Sequence, residues 1–190
     1  MKVLGVAGSP RTGNTSFCVQ EALNVVEEMG LETEFINLHG KNIAPCRSCG
    51  RCRQEDTCSI NDDMEDINAK LGAADGIIFG TPVFMGSMTA QMKILLDRTV
   101  RHRRQGLRLK GKVGGVICVG GARNGGQELT IQAVQAALQI HDMILVGDGS
   151  HFGGIVVAYD PGEAKDDEEG LETVKNLARR VAETVKILNP

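Results

Sequence analysis

The sequence contains no tryptophan and only one tyrosine, Tyr159, so aromatic residues make up just 3% of the chain. Proteins that bind single-stranded nucleic acids stack the bases on several aromatic rings, and this chain has no set of rings for that purpose. The net charge of −3 also lacks the strongly positive balance that attracts nucleic acids. We therefore expect no nucleic-acid partner.

Long apolar runs are also missing. No stretch approaches the roughly 20 apolar residues that a membrane helix needs, and no basic-then-apolar leader precedes the first predicted strand at Lys2. We therefore expect no membrane contact, no disulfides and a reducing, cytoplasmic setting. With 42% hydrophobic residues in 190, the chain can bury one substantial core, which predicts a single domain over residues 1–190.

Cysteine, in contrast, is concentrated in one place. Four of the six cysteines form a C-x2-C-x2-C-x5-C run at Cys46, Cys49, Cys52 and Cys58, with no histidine among them. Structural zinc sites usually combine two C-x2-C pairs that are roughly a dozen or more residues apart. Compact runs with two-residue spacers are typical of four-iron four-sulfur clusters. The spacing favours such a cluster, with zinc and metal-free redox thiols as the alternatives.

Arginines alternate with these cysteines, at Arg47, Arg51 and Arg53. Positive charge near four thiolates stabilises the more negative, reduced state of a cluster and raises its reduction potential. The alternative is that these arginines only keep an exposed loop in solution. The remaining cysteines, Cys18 and Cys118, fall in a predicted helix and a predicted strand, and we expect them to pack as small apolar residues.

Strand and helix patterns alternate along the chain. The predicted strands cover residues 2–7, 33–38, 76–80, 112–119 and 143–146, and the predicted helices cover about 15–29, 62–72, 89–101, 128–141 and 166–188. This alternation predicts a doubly wound α/β fold, a five-stranded parallel sheet in the flavodoxin-like order, with the cysteine-rich loop, residues 46–58, after the second strand. We expect the acidic stretch 160–169 to be a solvated connector.

The loop GSPRTGNTS, residues 8–16, leaves the first strand and enters the first helix. The free N–H groups and the dipole of a helix N-terminus favour an anion. The loop lacks the G-K-[ST] and G-x-G-x-x-G patterns, so a mononucleotide phosphate fits it better than a dinucleotide; an ordinary capped turn is the alternative. Its polar side chains belong to Ser9, Arg11, Thr12, Asn14, Thr15 and Ser16.

Two further loops follow the third and fourth strands, and the carboxyl ends of these strands meet the first loop at one crevice. In the first of them Phe84 and Met85 can cover a planar ring, unless they turn into the core. The second, Gly120 to Glu128, contains four glycines that let its backbone approach a ligand closely. Together the three loops predict an FMN site.

The segments GSPRTGNTS, TPVFMGSMTAQMKILLDR and GGARNGGQE resemble the flavodoxin-like NADPH-dependent FMN reductase superfamily, over nearly the whole chain. With the cysteine run after the second strand, the chain is similar to the iron–sulfur flavoprotein family. This resemblance implies FMN and one four-iron four-sulfur cluster per subunit in a homodimer or homotetramer. It also implies reduced ferredoxin as the electron donor and a small oxidant, dioxygen or hydrogen peroxide, as the acceptor.

The resemblance also implies the binding residues. It assigns the FMN phosphate to Ser9, Arg11, Asn14, Thr15 and Ser16, the isoalloxazine ring to Pro82, Val83, Phe84, Met85, Gly86 and Ser87, the ring edge to Gly121, Gly125, Gly126, Gln127 and Glu128, and the cluster to Cys46, Cys49, Cys52 and Cys58. No side chain is assigned a catalytic role, because the flavin itself carries the chemistry.

Other residues and functions complete the interpretation. The four histidines, His39, His102, His141 and His151, lack metal or triad spacing and are expected to be structural or at the surface. The basic residues from Arg98 to Lys112 are either solvated helix ends or a patch that would steer an acidic ferredoxin. One alternative function is an NAD(P)H-dependent FMN or quinone reductase with a zinc or thiol loop. Another is a redox-sensing or electron-carrier protein without substrate turnover.

Overall fold

The structure, a computed structural model, describes residues 1–190. Six strands and six helices alternate along the chain. The strands are β1 (Lys2–Ala7), β2 (Glu32–Asn37), β3 (Gly76–Pro82), β4 (Val113–Gly120), β5 (Ile144–Leu145) and β6 (Gly154–Val157). The helices are α1 (Asn14–Glu28), α2 (Met64–Ala73), α3 (Ala90–Arg98), α4 (Val100–Arg104), α5 (Gln127–Gln139) and α6 (Glu168–Leu188). None of the helices has the length and apolar sequence needed to cross a bilayer.

All neighbouring strands run parallel, in the order β2-β1-β3-β4-β5. The predicted flavodoxin-like order is therefore confirmed. The fifth position differs in detail, because β5 pairs only with Val113 and Gly114 of β4, whereas β6 pairs with Ile117 to Gly120. Two short segments thus share one sheet position, and the loop between them, residues 146–153, leaves the sheet and returns.

Helices cover both faces of the sheet. One apolar layer joins the sheet to α1 and α6, and the other joins it to α2, α3 and α5. Helix α1 packs closely because two strand glycines face it: a Cβ on Gly5 or Gly80 would lie 2.7 Å or 2.3 Å from methyl carbons of Val19. This close packing holds the N-terminus of α1 beside the carboxyl ends of β1 and β3.

The single helix predicted over 89–101 is two helices. α3 begins after Thr89, whose side chain accepts a hydrogen bond from the N–H of Met92. It ends at Thr99, whose hydroxyl donates to the carbonyl of Leu96 at 2.6 Å. This hydrogen bond competes with the regular helical pattern, and α4 follows in a new direction along the cysteine-rich segment.

The stretch 160–169 connects β6 to α6 and is mostly exposed, as predicted, but it also makes ordered local contacts. Glu163 accepts hydrogen bonds from the N–H groups of Tyr159 and Asp160 at 2.7 and 2.8 Å, and Ala164 is fully buried. Asp167 caps α6 by accepting from the N–H of Gly170 at 3.0 Å. Two carboxylates of this exposed connector, those of Glu163 and Asp167, thus hold its backbone in place.

Candidate cofactor sites

A cleft of about 410 Å³ opens at the carboxyl edge of the sheet. Its walls come from the loops after β1, β3 and β4 and from the segment after β6. Its lining residues are Ser9, Pro10, Arg11, Asn14, Thr15, Pro82, Val83, Phe84, Val119, Gly121, Ala158, Tyr159 and Asp160. The cleft thus joins members of all three predicted loops, as their positions in the sequence indicated.

The N-terminus of α1 forms one end of the cleft. Its first turn has no side-chain cap and no acidic residue, and Asn14, Thr15 and Ser16 are buried there. The first N–H groups of a helix have no acceptor within the helix, and together with the dipole they attract an anion. This end of the cleft suits a phosphate group.

Two polar side chains of this loop contact the segment after β6. Asn14 donates from Nδ2 to the carbonyl of Asp160 at 2.8 Å, and its Oδ1 accepts from backbone N–H groups of the same segment. Arg11 donates to the carbonyl of Tyr159 at 3.0 Å. The amide of Asn14 therefore fixes the phosphate loop in place, whereas the buried Ser16 accepts only from the side chain of Asn37.

The loop after β3 is a tight hairpin. The N–H groups of Phe84 and Ser87 donate to each other's carbonyls at 2.8 and 3.0 Å, and Met85 and Gly86 have φ values of 49° and 74°. Successive positive φ values are typical of a type I′ turn. Phe84 is half exposed and Met85 is fully exposed, so neither packs in the core. The turn holds two apolar side chains at the mouth of the cleft.

The glycine loop after β4 packs against the other two walls. A Cβ on Gly126 would lie 3.4 Å from the Cα of Gly86, and one on Gly121 would lie 2.7 Å from the ring of Tyr159. Gly125 donates to the carbonyl of Ala122 in the turn, and the buried Gln127 donates to the same carbonyl at 2.8 Å. Of the predicted ring-edge residues only Gly121 lines this cleft, whereas Gly126, Gln127 and Glu128 line a neighbouring one.

Sequence reasoning missed the segment after β6, which supplies Ala158, Tyr159 and Asp160 to the cleft. The four residues of β6 follow a glycine-rich stretch and resemble a loop. The lone tyrosine just beyond an apolar GIVV run was the available signal.

The four clustered cysteines line a second pocket, between the segment after β2 and the α3–α4 helix pair. Cys46 and Cys49 are exposed, Cys52 and Cys58 are half-buried, and no cysteine of the chain forms a disulfide. The other two thiols differ sharply: burial raises the pKa of both Cys18 and Cys118 to about 12. The prediction that these two serve as packing residues agrees with their burial.

Hydrogen-bond donors surround the clustered sulfurs. Cys49 Sγ lies 3.2 Å from the hydroxyl of Ser59, and this contact, together with the N–H of Arg51, lowers the pKa of the Cys49 thiol. The N–H groups of Ser48 and Ile60 donate to Cys46 and Cys58 at 3.5 Å. Donors of this kind stabilise thiolates, which are the form that binds metals.

The thiols are not gathered around a point that one ion would fill. A mononuclear zinc site needs its sulfurs at about 2.3 Å from a single ion, whereas the cysteines of a four-iron cluster each bind a different iron. The four thiols in one pocket, with their donors, therefore fit a polynuclear cluster better than zinc.

A buried ion pair anchors this segment at both ends. Arg98 donates to Asp62 at 2.6 and 3.0 Å, and both side chains are only 3% exposed. Arg98 also donates to the carbonyl of Ala44, whose N–H donates to Asp62. Although burial alone would raise it, these hydrogen bonds hold the pKa of Asp62 below its usual value. The pair thus fixes residues 44 and 62 on either side of the four cysteines.

Comparison with known proteins agrees with both sites. The family model described as NADPH-dependent FMN reductase matches residues 1–154. The chain is 50% identical to an iron–sulfur flavoprotein of Methanocaldococcus jannaschii over 99% of each chain. It is 46% identical to an iron–sulfur flavoprotein of Methanosarcina thermophila, over 99% of this chain and 97% of the relative.

The fold has solved counterparts as well. A flavodoxin, WrbA-like protein from Agrobacterium tumefaciens superposes with a TM-score of 0.73 at 22% identity, over 98% of both chains. The resemblance inferred from the sequence is therefore confirmed: the chain belongs to the NADPH-dependent FMN reductase family of oxidoreductases and, within it, to the iron–sulfur flavoproteins.

Proposed function

We propose that the chain is an electron-transfer oxidoreductase that receives single electrons at the cysteine segment and delivers them to a small oxidant at the cleft. One observation carries this proposal. The segment with the four thiols follows the carboxyl end of β2, the helix terminus suited to an anion follows the carboxyl end of β1, and these two strands are paired. FMN bound in the cleft and a four-iron four-sulfur cluster bound by the thiols would supply the redox chemistry.

The residues around the cleft bind and orient. We propose that the first turn of α1, with Ser9, Arg11, Thr15 and Ser16, holds the phosphate, and that Asn14 holds the loop in place. Residues 82–87 and the backbone at Gly121, Gly125 and Gly126 cover the ring, with Gln127 fixing the glycine loop. We assign Glu128 no flavin contact, because its side chain lines other clefts. The apolar side chains at the mouth keep water from part of the ring.

The thiols at Cys46, Cys49, Cys52 and Cys58 hold the cluster. Cys46 and Cys49 are exposed, so this edge of the pocket faces any approaching donor. We propose a small acidic donor of the ferredoxin type and an oxidant such as dioxygen or hydrogen peroxide. Exposed thiols stay reduced in the cytoplasm, where we place the protein.

The basic segment predicted to steer the donor is mostly neutralised. Arg98 pairs with Asp62, Arg101 with Glu65 and Asp56, Arg108 with Asp56, and Lys110 with Asp142. Arg47 and Arg53, in contrast, are exposed beside the cysteines and form no ion pair. We therefore propose that Arg47 and Arg53 contribute most to docking an acidic donor.

We further propose that the chain, folded as one unit over residues 1–190, assembles as a homodimer or homotetramer. Large apolar side chains are exposed around the cleft and the β6 edge, which is typical of association surfaces. They are Phe84, Met85, Leu129, Phe152, Val157 and Tyr159.

The test is the composition and visible spectrum of anaerobically purified protein. We expect about four irons, about four sulfides and one FMN per chain. One zinc without sulfide would favour the reductase with a zinc loop, and flavin without metal would favour a thiol loop. Steady-state turnover with peroxide, dioxygen and quinones then separates an enzyme from an electron carrier or sensor, because only the enzyme turns over a substrate.

A further inference from the structure

Two arginines from the α3–α4 helix pair contact sulfurs of the cysteine segment. Arg104 donates from Nη1 to Cys52 Sγ at 3.2 Å, and Arg98 donates from Nη2 to Cys58 Sγ at 3.5 Å. Neither arginine belongs to the cysteine run itself. The sequence instead suggested that the arginines within the run raise the reduction potential of the cluster. Arg98 is the last residue of α3 and Arg104 the last of α4, and both line the pocket of the cysteine segment.

The two arginines differ in what else they bind. Arg98 is buried, and its other N–H groups donate to Asp62 and to the carbonyl of Ala44. Arg104 makes no ion pair and no other hydrogen bond from its side chain. Arg98 is therefore committed to holding the segment, whereas the only hydrogen bond of the Arg104 side chain goes to a sulfur.

The arginines within the run are placed differently. Arg51 pairs with Glu55, which offsets its charge, and the exposed Arg53 contacts neither a sulfur nor an acid. Exposed charges are screened by water and salt. Their effect on a nearby electron is therefore weaker than that of a guanidinium in direct contact with a ligating sulfur.

We propose that Arg104 raises the reduction potential of the cluster through its hydrogen bond to Cys52 and that Arg98, whose bonds to Asp62 and Ala44 are shorter than its contact with Cys58, is a positioning residue for the cysteine segment. This inference rests on the proposed function. Reduction adds one negative charge to the thiolate-ligated group, and no bond forms or breaks. A charge-assisted N–H···S contact stabilises that added charge more than it stabilises the oxidised state.

The experiment is an anaerobic redox titration of purified holoprotein, followed by the electron paramagnetic resonance signal of the reduced cluster. In R104Q, we expect the equilibrium constant for one-electron reduction to fall by about tenfold, a shift of about 59 mV to a more negative potential. The matched control R53Q removes one positive charge from the same surface without touching a sulfur, and we expect it to stay within about twofold of wild type.

Each outcome decides between explanations. An R104Q protein that carries full iron and sulfide but titrates at the wild-type potential overturns the role of Arg104 and leaves the proposed function standing. An equal shift in R53Q also overturns it, because net charge alone then explains the effect. If R104Q lacks iron while R104K retains it, Arg104 holds the segment instead of tuning it, which again overturns the proposal.

The role of Arg98 is tested by composition. We expect R98M to purify with FMN but with much less iron and sulfide than wild type, because both ends of the cysteine segment lose their anchor. Full iron in R98M overturns the positioning role. Absence of iron and sulfide from the wild-type protein would instead count against the proposed function, and that result is known before any titration begins.

Discussion

Asn14 and Gly162 are joined by a hydrogen bond of 2.8 Å, from the N–H of Gly162 to Asn14 Oδ1, across 148 positions of sequence. The amide of Asn14 donates at the same time to the carbonyl of Asp160. The start of α1 is thereby tied to the segment that carries Tyr159. The loop after the interior strand β1 and the segment after the edge strand β6 thus meet at the phosphate end of the cleft.

The first prediction distinguishes the structural role of the Asn14 hydrogen bonds from direct binding of the ligand. Ser16→Ala should weaken FMN affinity by roughly ten- to a hundredfold, because a polar contact to a charged group is worth about 1.5–3 kcal/mol, and it should leave stability nearly unchanged. Asn14→Ala should weaken affinity to a similar extent and also destabilise the fold by about 1–3 kcal/mol, through loss of buried hydrogen bonds. FMN titration of the apoprotein and urea unfolding measure the two effects.

Glu183→Gln, at an exposed position on α6, is the control and should change neither quantity, because exposed ion pairs contribute little to stability. Unchanged FMN affinity in both Ser16→Ala and Asn14→Ala would contradict the placement of the phosphate.

The second prediction concerns the two classes of thiol. Cys49→Ser should lose the cluster and retain FMN, because the cysteine segment and the cleft have separate linings. Turnover with ferredoxin should collapse, while flavin reduced by a small chemical reductant should still reoxidise with peroxide or dioxygen. Cys18→Ala, which alters a buried packing thiol, should keep its iron. Full iron and full ferredoxin-linked turnover in Cys49→Ser would show that Cys49 is not a ligand.

The third prediction concerns donor docking. Charge reversal at Arg47 and Arg53 together should slow ferredoxin-dependent reduction several-fold at low ionic strength, and added salt should abolish the difference. Reversal at Arg103, which lies on α4 and donates to the carbonyl of Ile140, should have a smaller effect. Arg179→Glu on α6 serves as the control. If the rate of ferredoxin-dependent reduction fell equally in the Arg47/Arg53 variant, the Arg103 variant and Arg179→Glu, the cause would be net charge and not a docking surface.

The fourth prediction concerns pH. His102 is 4% exposed, neither ring nitrogen has a hydrogen-bond partner, and burial, with His141, Arg108, Arg101 and Lys112 nearby, lowers its pKa from 6.5 to about 4. Because the folded state disfavours the protonated ring, the contribution of neutral His102 to the free energy of unfolding is fully present above pH 6.5 and is lost as the pH falls toward 4. The loss should reach at most about 3 kcal/mol.

Urea midpoints between about pH 7.5 and 4.5 measure this dependence. His102→Leu should flatten the slope over that range, whereas His39→Gln, at an exposed position, should not. The same acid sensitivity in His102→Leu as in wild type would assign it to other groups.

The sequence predicted the strand order well because β1, β3 and β4 are apolar runs and β2 mixes polar and apolar residues, each bounded by polar or glycine-rich stretches. It predicted the fifth position less well. There β5 and β6 contribute two and four residues, and the loop between them contains the glycines that usually mark a turn. Both segments occupy one sheet position because they pair with different parts of β4. Such long-range pairing leaves no local pattern in the sequence.

The site shows the same division. Motif spacing predicted the three cleft loops and the four thiols, because these residues are close in sequence. The contacts from Arg98 and Arg104 to the sulfurs span 40 and 52 positions, and hydrophobic periodicity does not reveal contacts between residues so far apart in sequence. Sequence reasoning therefore assigned tuning to the adjacent arginines, which lack those contacts.

The ring of Tyr159 rests against Gly121 at the cleft, and no tryptophan is present anywhere in the chain. All of the protein's tyrosine emission therefore originates from one phenol at the rim of the cleft, and the five phenylalanines emit only weakly and at shorter wavelength. A flavin that enters the cleft lies within energy-transfer range of that phenol, so the unmodified chain carries a built-in optical reporter of its own cofactor occupancy.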